Sequence, residues 1–236
     1  MPNRFSKNIA VITHFNNKVA NLVIKKFFEK NIKIKNVILV GNKEKESVSK
    51  NYFNYINSHK GIQLIDLEKN YINFYIVKKI NSNYTRNLIK NLKINILLNY
   101  SGIIKSKILN IPNLKILNSH PGILPNYRGS MCPEWTVIKR EKIVGATCHI
   151  VTKNIDTGPI IYSQKLKYPY PRNYNLFRKK VYDLEAEVLI KGVSQILKNK
   201  KKFKIQKKNQ GNFYKPMSKK LLNKVKIILK NRSFKH

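Results

Sequence analysis

Leu117-Asn118-Ser119-His120-Pro121-Gly122-Ile123-Leu124-Pro125-Asn126-Tyr127-Arg128-Gly129 is the stretch on which the reading of this chain turns. It continues an apolar run, Leu114-Lys115-Ile116-Leu117, and so lies at the end of a predicted strand. Asn118 and His120 are two apart, which on extended backbone points both side chains to one side. Pro121 and Gly122 then end the strand and turn the chain. A second turn, Asn154-Ile155-Asp156-Thr157-Gly158-Pro159, comes later. Its spacing lets one more strand pair bring a carboxylate back beside the imidazole. An amide, an imidazole and a carboxylate are therefore candidates to meet around one reacting atom.

Working outward, the segments on the N-terminal side alternate in type. Ile9-Ala10-Val11-Ile12 reads as a buried first strand, and residues 19–30 carry helix spacing through Val19, Leu22, Val23 and Phe27. Residues 34–41 read as a second strand, 43–60 as a loop and helix, and 63–66 as a short third strand. A helix over 83–92, a fourth strand over 94–100 and a fifth over 114–118 follow. Beyond the quoted stretch, strands at 144–151 and 159–166 pair across the Asp156 turn. A long amphipathic helix spans 175–197 and contains Asp183, Glu185 and Glu187. A basic linker at 198–208, an extended piece at 209–216 and a helix over 219–230 complete the chain.

This alternation predicts an α/β, Rossmann-like fold: a mainly parallel twisted sheet flanked by helices, with a short helical C-terminal extension. Residues 1–197 are expected to form the catalytic domain, and 198–236 a basic linker and extension. Parallel sheets of this kind bind ligands beyond the carboxyl ends of their strands, which is where Asn118 and His120 fall. No Gly-x-Gly-x-x-Gly loop follows the first strand, so NAD is not expected to bind in the usual way.

Composition narrows the class. With 236 residues and 42% hydrophobic content the chain can bury a full core. Cys132 and Cys148 alone do not make a disulfide framework. No apolar run approaches a membrane span and no signal-peptide pattern opens the chain, so the expectation is cytoplasmic, with no membrane partner. Lys and Arg number 48 against 11 acids, a formal charge of +37. The lysines are spread along the chain, as in a Lys/Asn/Ile-rich composition with a solvated basic surface. Steering of anionic partners is the other reading.

The motifs Asn118-Ser119-His120-Pro121, Leu124-Pro125, Tyr127-Arg128-Gly129 and Asp156-Thr157-Gly158 resemble the catalytic signature of the folate-dependent formyltransferase family. The resemblance covers roughly residues 9–170. It implies transfer of a formyl group from N10-formyltetrahydrofolate to a primary amine. In that chemistry Asn118 would donate to the oxyanion of the tetrahedral intermediate. His120 would move the proton and Asp156 would orient the imidazole or hold a relay water. The plainer alternatives are a turn-forming Asp156, a strand-end His120 satisfied by backbone, and an Asn118 that caps a turn.

The resemblance also implies a pterin slot built from Leu98, Tyr100, Gly102, Ile103 and Ile104, with Thr152 and Asn154 from the later loop. Ordinary core packing is the alternative for the apolar members. Arg128, Glu134 and Trp135 are the candidates for the acceptor, Trp135 by stacking and Glu134 by holding an ammonium; a buried Trp at a helix start is the alternative. A small phosphorylated or nucleotide-linked amine is the expected partner, with an amino-sugar nucleotide ranked first. Thr13-His14-Phe15-Asn16-Asn17-Lys18 lacks the glycines of the phosphate loop in glycinamide-ribotide enzymes. The C-terminal part is shorter than the barrel-like domain of methionyl-tRNA formyltransferases, whose tRNA its lysines would suit. A basic nucleic-acid binder that keeps only the fold is the competing class. A Cys132 nucleophile beside His120 is conceivable. No metal is expected, because Cys148 and His149 are strand neighbours that should face opposite ways.

Overall fold

A computed structural model describes residues 7–14, 17–41, 72–199, 202–207 and 210–231. The chain forms two compact units, Met1–Asn118 and Ser119–His236. The first unit is built on parallel strands: β1 (Ile9–His14), β2 (Asn36–Val40), β3 (Asn73–Val77), β4 (Ile96–Tyr100) and the start of β5 (Lys115–His120). Their order is β3-β2-β1-β4-β5, and each adjacent pair is parallel. Helices α1 (Lys18–Glu29), α2 (Asn83–Asn91) and α3 (Ser106–Leu109) occupy the connections described.

The first strands are apolar throughout because both faces are covered, as parallel sheets require. Ala10, Val11 and Ile12 of β1 and Val37 and Ile38 of β2 are wholly buried. Helix α1 begins at Asn17, whose Oδ1 accepts from the amides of Val19 and Ala20 at 3.1 Å, satisfying donors that the first turn leaves orphaned. Ala20, Val23, Ile24 and Phe27 then form its buried stripe.

The strand order reverses between β1 and β4, so the crevice at their carboxyl ends is the position where doubly wound sheets take ligands. Here His14 Nε2 lies 2.9 Å from the Ser101 carbonyl, and Asn17 Nδ2 donates to the Tyr100 carbonyl at 3.0 Å.

The second unit carries β6 (Tyr127–Gly129), α4 (Cys132–Ile138), the antiparallel pair β7 (Ile143–Ile150) and β8 (Ile160–Lys167), α5 (Tyr174–Leu197), β9 (Asn212–Tyr214) and α6 (Lys219–Asn231). Its core joins Val137, Val144, Tyr170, Phe177, Val181, Val225, Ile228 and Leu229. Helix α6 buries Val225, Ile228 and Leu229 and exposes its lysines, the pattern of a solvated basic face. Among the described residues no helix is long and apolar enough to cross a membrane.

Several elements differ from the sequence expectation. Strand β3 lies at Asn73–Val77, in an aromatic and β-branched run that favours strands. The expected strand at 63–66 and the loop and helix at 43–60 lie outside the described residues, as do positions 200, 201 and 208 of the expected linker. The short elements α3, β6 and α4 have too few residues to show a period.

Helix α5 is not simply amphipathic. Its buried positions include Leu184, Glu185 and Ala186 in succession. Burial pushes the Glu185 carboxyl up to about 8; Arg178 opposes the shift and Glu134 adds to it. Glu185 is therefore neutral in the native state at neutral pH. A group with a raised native pKa stabilises fully below its unfolded value and loses that contribution as pH rises through the native one. Between pH 4.5 and about 8 this residue should make stability fall with rising pH. Glu185→Gln mimics the neutral form, so its Tm should match wild type near pH 4 and exceed it by several degrees above pH 8, at about 2–4 °C per kcal/mol. Thermal melts across that range check this; equal melts at high pH would contradict it.

Candidate active site

His120 ends β5, and the chain leaves it through a tight turn in which the Gly122 amide donates to the His120 carbonyl at 2.8 Å. A side chain at 122 would crowd the imidazole: a Cβ there would stand 2.7 Å from His120 Nε2 and 2.8 Å from the Tyr127 carbonyl. Thr147 on β7 ties the turn down. Its hydroxyl donates to the Gly122 carbonyl at 2.7 Å and accepts from the Leu124 amide at 3.1 Å.

The imidazole is 3% exposed. Nε2 lies 2.7 Å from the Tyr127 carbonyl oxygen. A carbonyl only accepts, so Nε2 carries a proton in this pairing. Nδ1 faces Asp156 Oδ2 at 3.3 Å. Asp156 Oδ2 also accepts from the Gly129 amide at 2.9 Å. Strand β6 thus contacts both partners, His120 through the Tyr127 carbonyl and Asp156 through the Gly129 amide.

A third group completes the cluster. His149 Nε2 stands 3.5 Å from Asp156 Oδ1, and its Nδ1 lies 3.0 Å from the Ile150 carbonyl oxygen. The two imidazoles are edge to face, with ring centroids 6.4 Å apart. The β7–β8 register shifts between Cys148 and His149, and such a bulge re-aims a side chain. Strict alternation would have missed this. The available signal was a histidine at the end of a strand leading into the Asp156 turn.

Electrostatics separate the two partners. Burial lowers the His120 pKa, outweighing the attraction of Asp156, and His149 lowers it further. Burial would raise Asp156, but the hydrogen bond from His149, the electrostatic attraction of the two imidazoles and the Gly129 amide together hold it below the usual carboxylate range. A neutral imidazole thus sits beside an anionic carboxylate. A proton gained by His120 would settle on Nδ1, against that carboxylate. The Asp156 backbone is left-handed, with φ of 53°, a conformation that costs on the order of 1 kcal/mol or more for a non-glycine residue.

The other expected site residues fall as follows. Asn118 is half-buried on β5, two residues before His120. Leu98 is buried in β4 and Ile104 is buried beyond it, while Ile103 is 62% exposed. Tyr100 ends β4, and the turn after it is held by Asn99, whose Nδ2 donates to the Gly102 carbonyl at 2.8 Å. Gly102 has φ of 100° and open space where a side chain would be, a conformation that favours glycine. Thr152 and Asn154 belong to the loop before Asp156, which Thr157 pins by donating to the Asn154 carbonyl at 3.1 Å.

Arg128 is buried, and its Nε and Nη2 donate to Gln206 Oε1 at 3.3 and 3.0 Å. Glu134 is 1% exposed. It accepts from the Tyr174 hydroxyl at 2.7 Å and pairs with Arg178 at 3.4 Å, while its Oε2 is buried with no partner among the described residues. Trp135 donates to the Lys215 carbonyl at 2.9 Å and packs on Tyr214. Cys132 is fully buried, and burial pushes its thiol well above the usual range. Burial disfavours the thiolate that a cysteine nucleophile needs.

A buried imidazole–carboxylate pair thus stands at the carboxyl end of β5 in an α/β fold. The chain belongs to the formyl transferase family, whose model matches residues 7–193. Among its relatives is the methionyl-tRNA formyltransferase of Prochlorococcus marinus (strain MIT 9215), 32% identical over 135 residues, which are 56% of this chain and 41% of that protein. The match spans less than half the length of these curated relatives. Solved structures share the fold. An N-formyltransferase from Helicobacter canadensis, in complex with folinic acid and dTDP-3-aminofucose, superposes with a TM-score of 0.60 at 16% identity, over 89% of this chain and 71% of that one. A 4-N formyltransferase from Francisella tularensis gives 0.60 at 22% identity, over 89% and 76%.

Proposed function

We propose that this chain transfers the formyl group of N10-formyltetrahydrofolate to a primary amine, and that the amine belongs to an amino-sugar nucleotide. The observation that carries the transfer reading is the buried His120–Asp156 pair, 3.3 Å apart, in a chain of the formyl transferase family. The amine attacks the formyl carbon and forms a tetrahedral intermediate. The Asn118 amide donates to its oxyanion. His120 serves as the base for the amine proton, and Asp156 beside Nδ1 stabilises the resulting imidazolium. Breaking the bond from carbon to N10 releases tetrahydrofolate, and the proton returns to the leaving nitrogen. The exposed Ile103 and open Gly102 at the carboxyl end of β4 offer an apolar edge with accessible backbone for the pterin.

The acceptor reading draws support from the Helicobacter canadensis enzyme, whose complex contains a dTDP-linked amino sugar. A second reading, methionyl-tRNA, is favoured by the 32% identical Prochlorococcus marinus relative. One screen separates them: the protein with N10-formyltetrahydrofolate is offered dTDP- and UDP-amino sugars, glycinamide ribotide and methionyl-tRNA, and each product is weighed by mass spectrometry. A formylated sugar nucleotide is the expected product. Formylation of tRNA alone would replace the sugar reading, and no formylated product from any amine would end the transfer reading.

A further inference from the structure

The chain returns to the site after α5, beyond the residues matched by the family model. Lys204 bridges to Ile160 at the start of β8 by a mutual pair of backbone hydrogen bonds of 2.8 and 3.1 Å. Two residues on, Gln206 is 8% exposed. Its Nε2 donates to the Asp156 carbonyl at 3.0 Å and to the Gly158 carbonyl at 2.7 Å. Its Oε1 accepts from Arg128. One amide therefore joins the two segments that meet at the Asp156 carboxylate: the left-handed turn itself, and the strand whose Gly129 amide binds Oδ2. Strand β9 then pairs in parallel with β6, Tyr127 to Asn212 and Gly129 to Tyr214. The approach is close enough that a Cβ at Gly129 would stand 2.2 Å from the Tyr214 carbonyl, and one at Gly211 would stand 1.7 Å from the Pro125 carbonyl.

We propose that residues 202–207 and 210–214 are part of the catalytic apparatus, with Gln206 as a positioning residue that fixes the Asp156 turn against His120. This rests on the formyl-transfer reading of the site. Aspartate tolerates the left-handed region only at some cost, so the contacts around the turn help to hold it there. Gln206 supplies two hydrogen bonds to that turn's carbonyls, and no element of the matched region duplicates them among the bonds described.

Two variants of the full chain separate positioning from bracing. Gln206→Met keeps the volume and removes every polar contact. Gln206→Glu keeps an acceptor for Arg128 but removes the donors to the Asp156 and Gly158 carbonyls. Both should lower kcat about tenfold or more, while KM for the formyl donor changes much less, at temperatures well below each Tm. Both should also shift the His120 Cε1–H titration midpoint downward by NMR, because a displaced carboxylate attracts the imidazolium less. Recovery of wild-type kcat by Gln206→Glu would overturn the proposal, since it would reduce the residue to a brace for Arg128. So would an unmoved His120 midpoint in Gln206→Met. The titration needs no substrate: a wild type inactive with every acceptor would refute formyl transfer, while the midpoint would still decide the role of Gln206.

Discussion

His120→Ala lowers kcat/KM for formyl transfer by about a hundredfold to ten-thousandfold, the range that a positioned acid–base group contributes. The His120 imidazole faces Asp156 with the nitrogen that its pairing to the Tyr127 carbonyl leaves unprotonated. Alanine leaves the amine proton without an acceptor and leaves the oxyanion donor untouched. KM for the donor should therefore move little, and the loss should appear in kcat. Wild-type kcat/KM should rise with pH along an acid limb, because His120 must be unprotonated to act. The limb's midpoint should lie below the ordinary imidazole value, since burial lowers the His120 pKa. Steady-state rates across pH, with melts as a control for folding, decide the matter. A folded alanine variant that keeps wild-type kcat/KM would remove His120 from the mechanism.

Asp156→Asn separates charge from geometry. The asparagine oxygen can occupy the Oδ2 position and keep the Gly129 amide bond, and its amide nitrogen then faces His149 Nε2. Asparagine also tolerates the left-handed backbone. The fold should survive with Tm within a few degrees of wild type. Turnover should fall about a hundredfold or more, because nothing anionic remains beside the protonated Nδ1. Full activity in this variant would mean that Asp156 serves geometry alone.

How much of this was legible in the sequence varies with the reach of each contact. The strand ending at His120 and the pair flanking the Asp156 turn follow from apolar runs and from glycine and proline positions, which are local. The helix starting at Lys18 was readable for the same reason. His149 escaped because a bulge between Cys148 and His149 breaks the period-two pattern. Gln206 escaped because its hydrogen bonds reach 48 and 50 residues back, and a glutamine in a lysine-rich run carries no periodic signal. Arg128 and Glu134 stood out as charges near the motif. Their partners Gln206, Tyr174 and Arg178 belong to distant segments, so nothing local marked them as internal ties.

The left-handed backbone at position 156 has an evolutionary corollary. Stability alone would accept asparagine there as readily as aspartate, since both sit in that conformation and both can satisfy the Gly129 amide. Turnover would accept only the acid. Across homologues, that one column should therefore sort working enzymes from retired copies of the fold, even where every other motif residue has been kept.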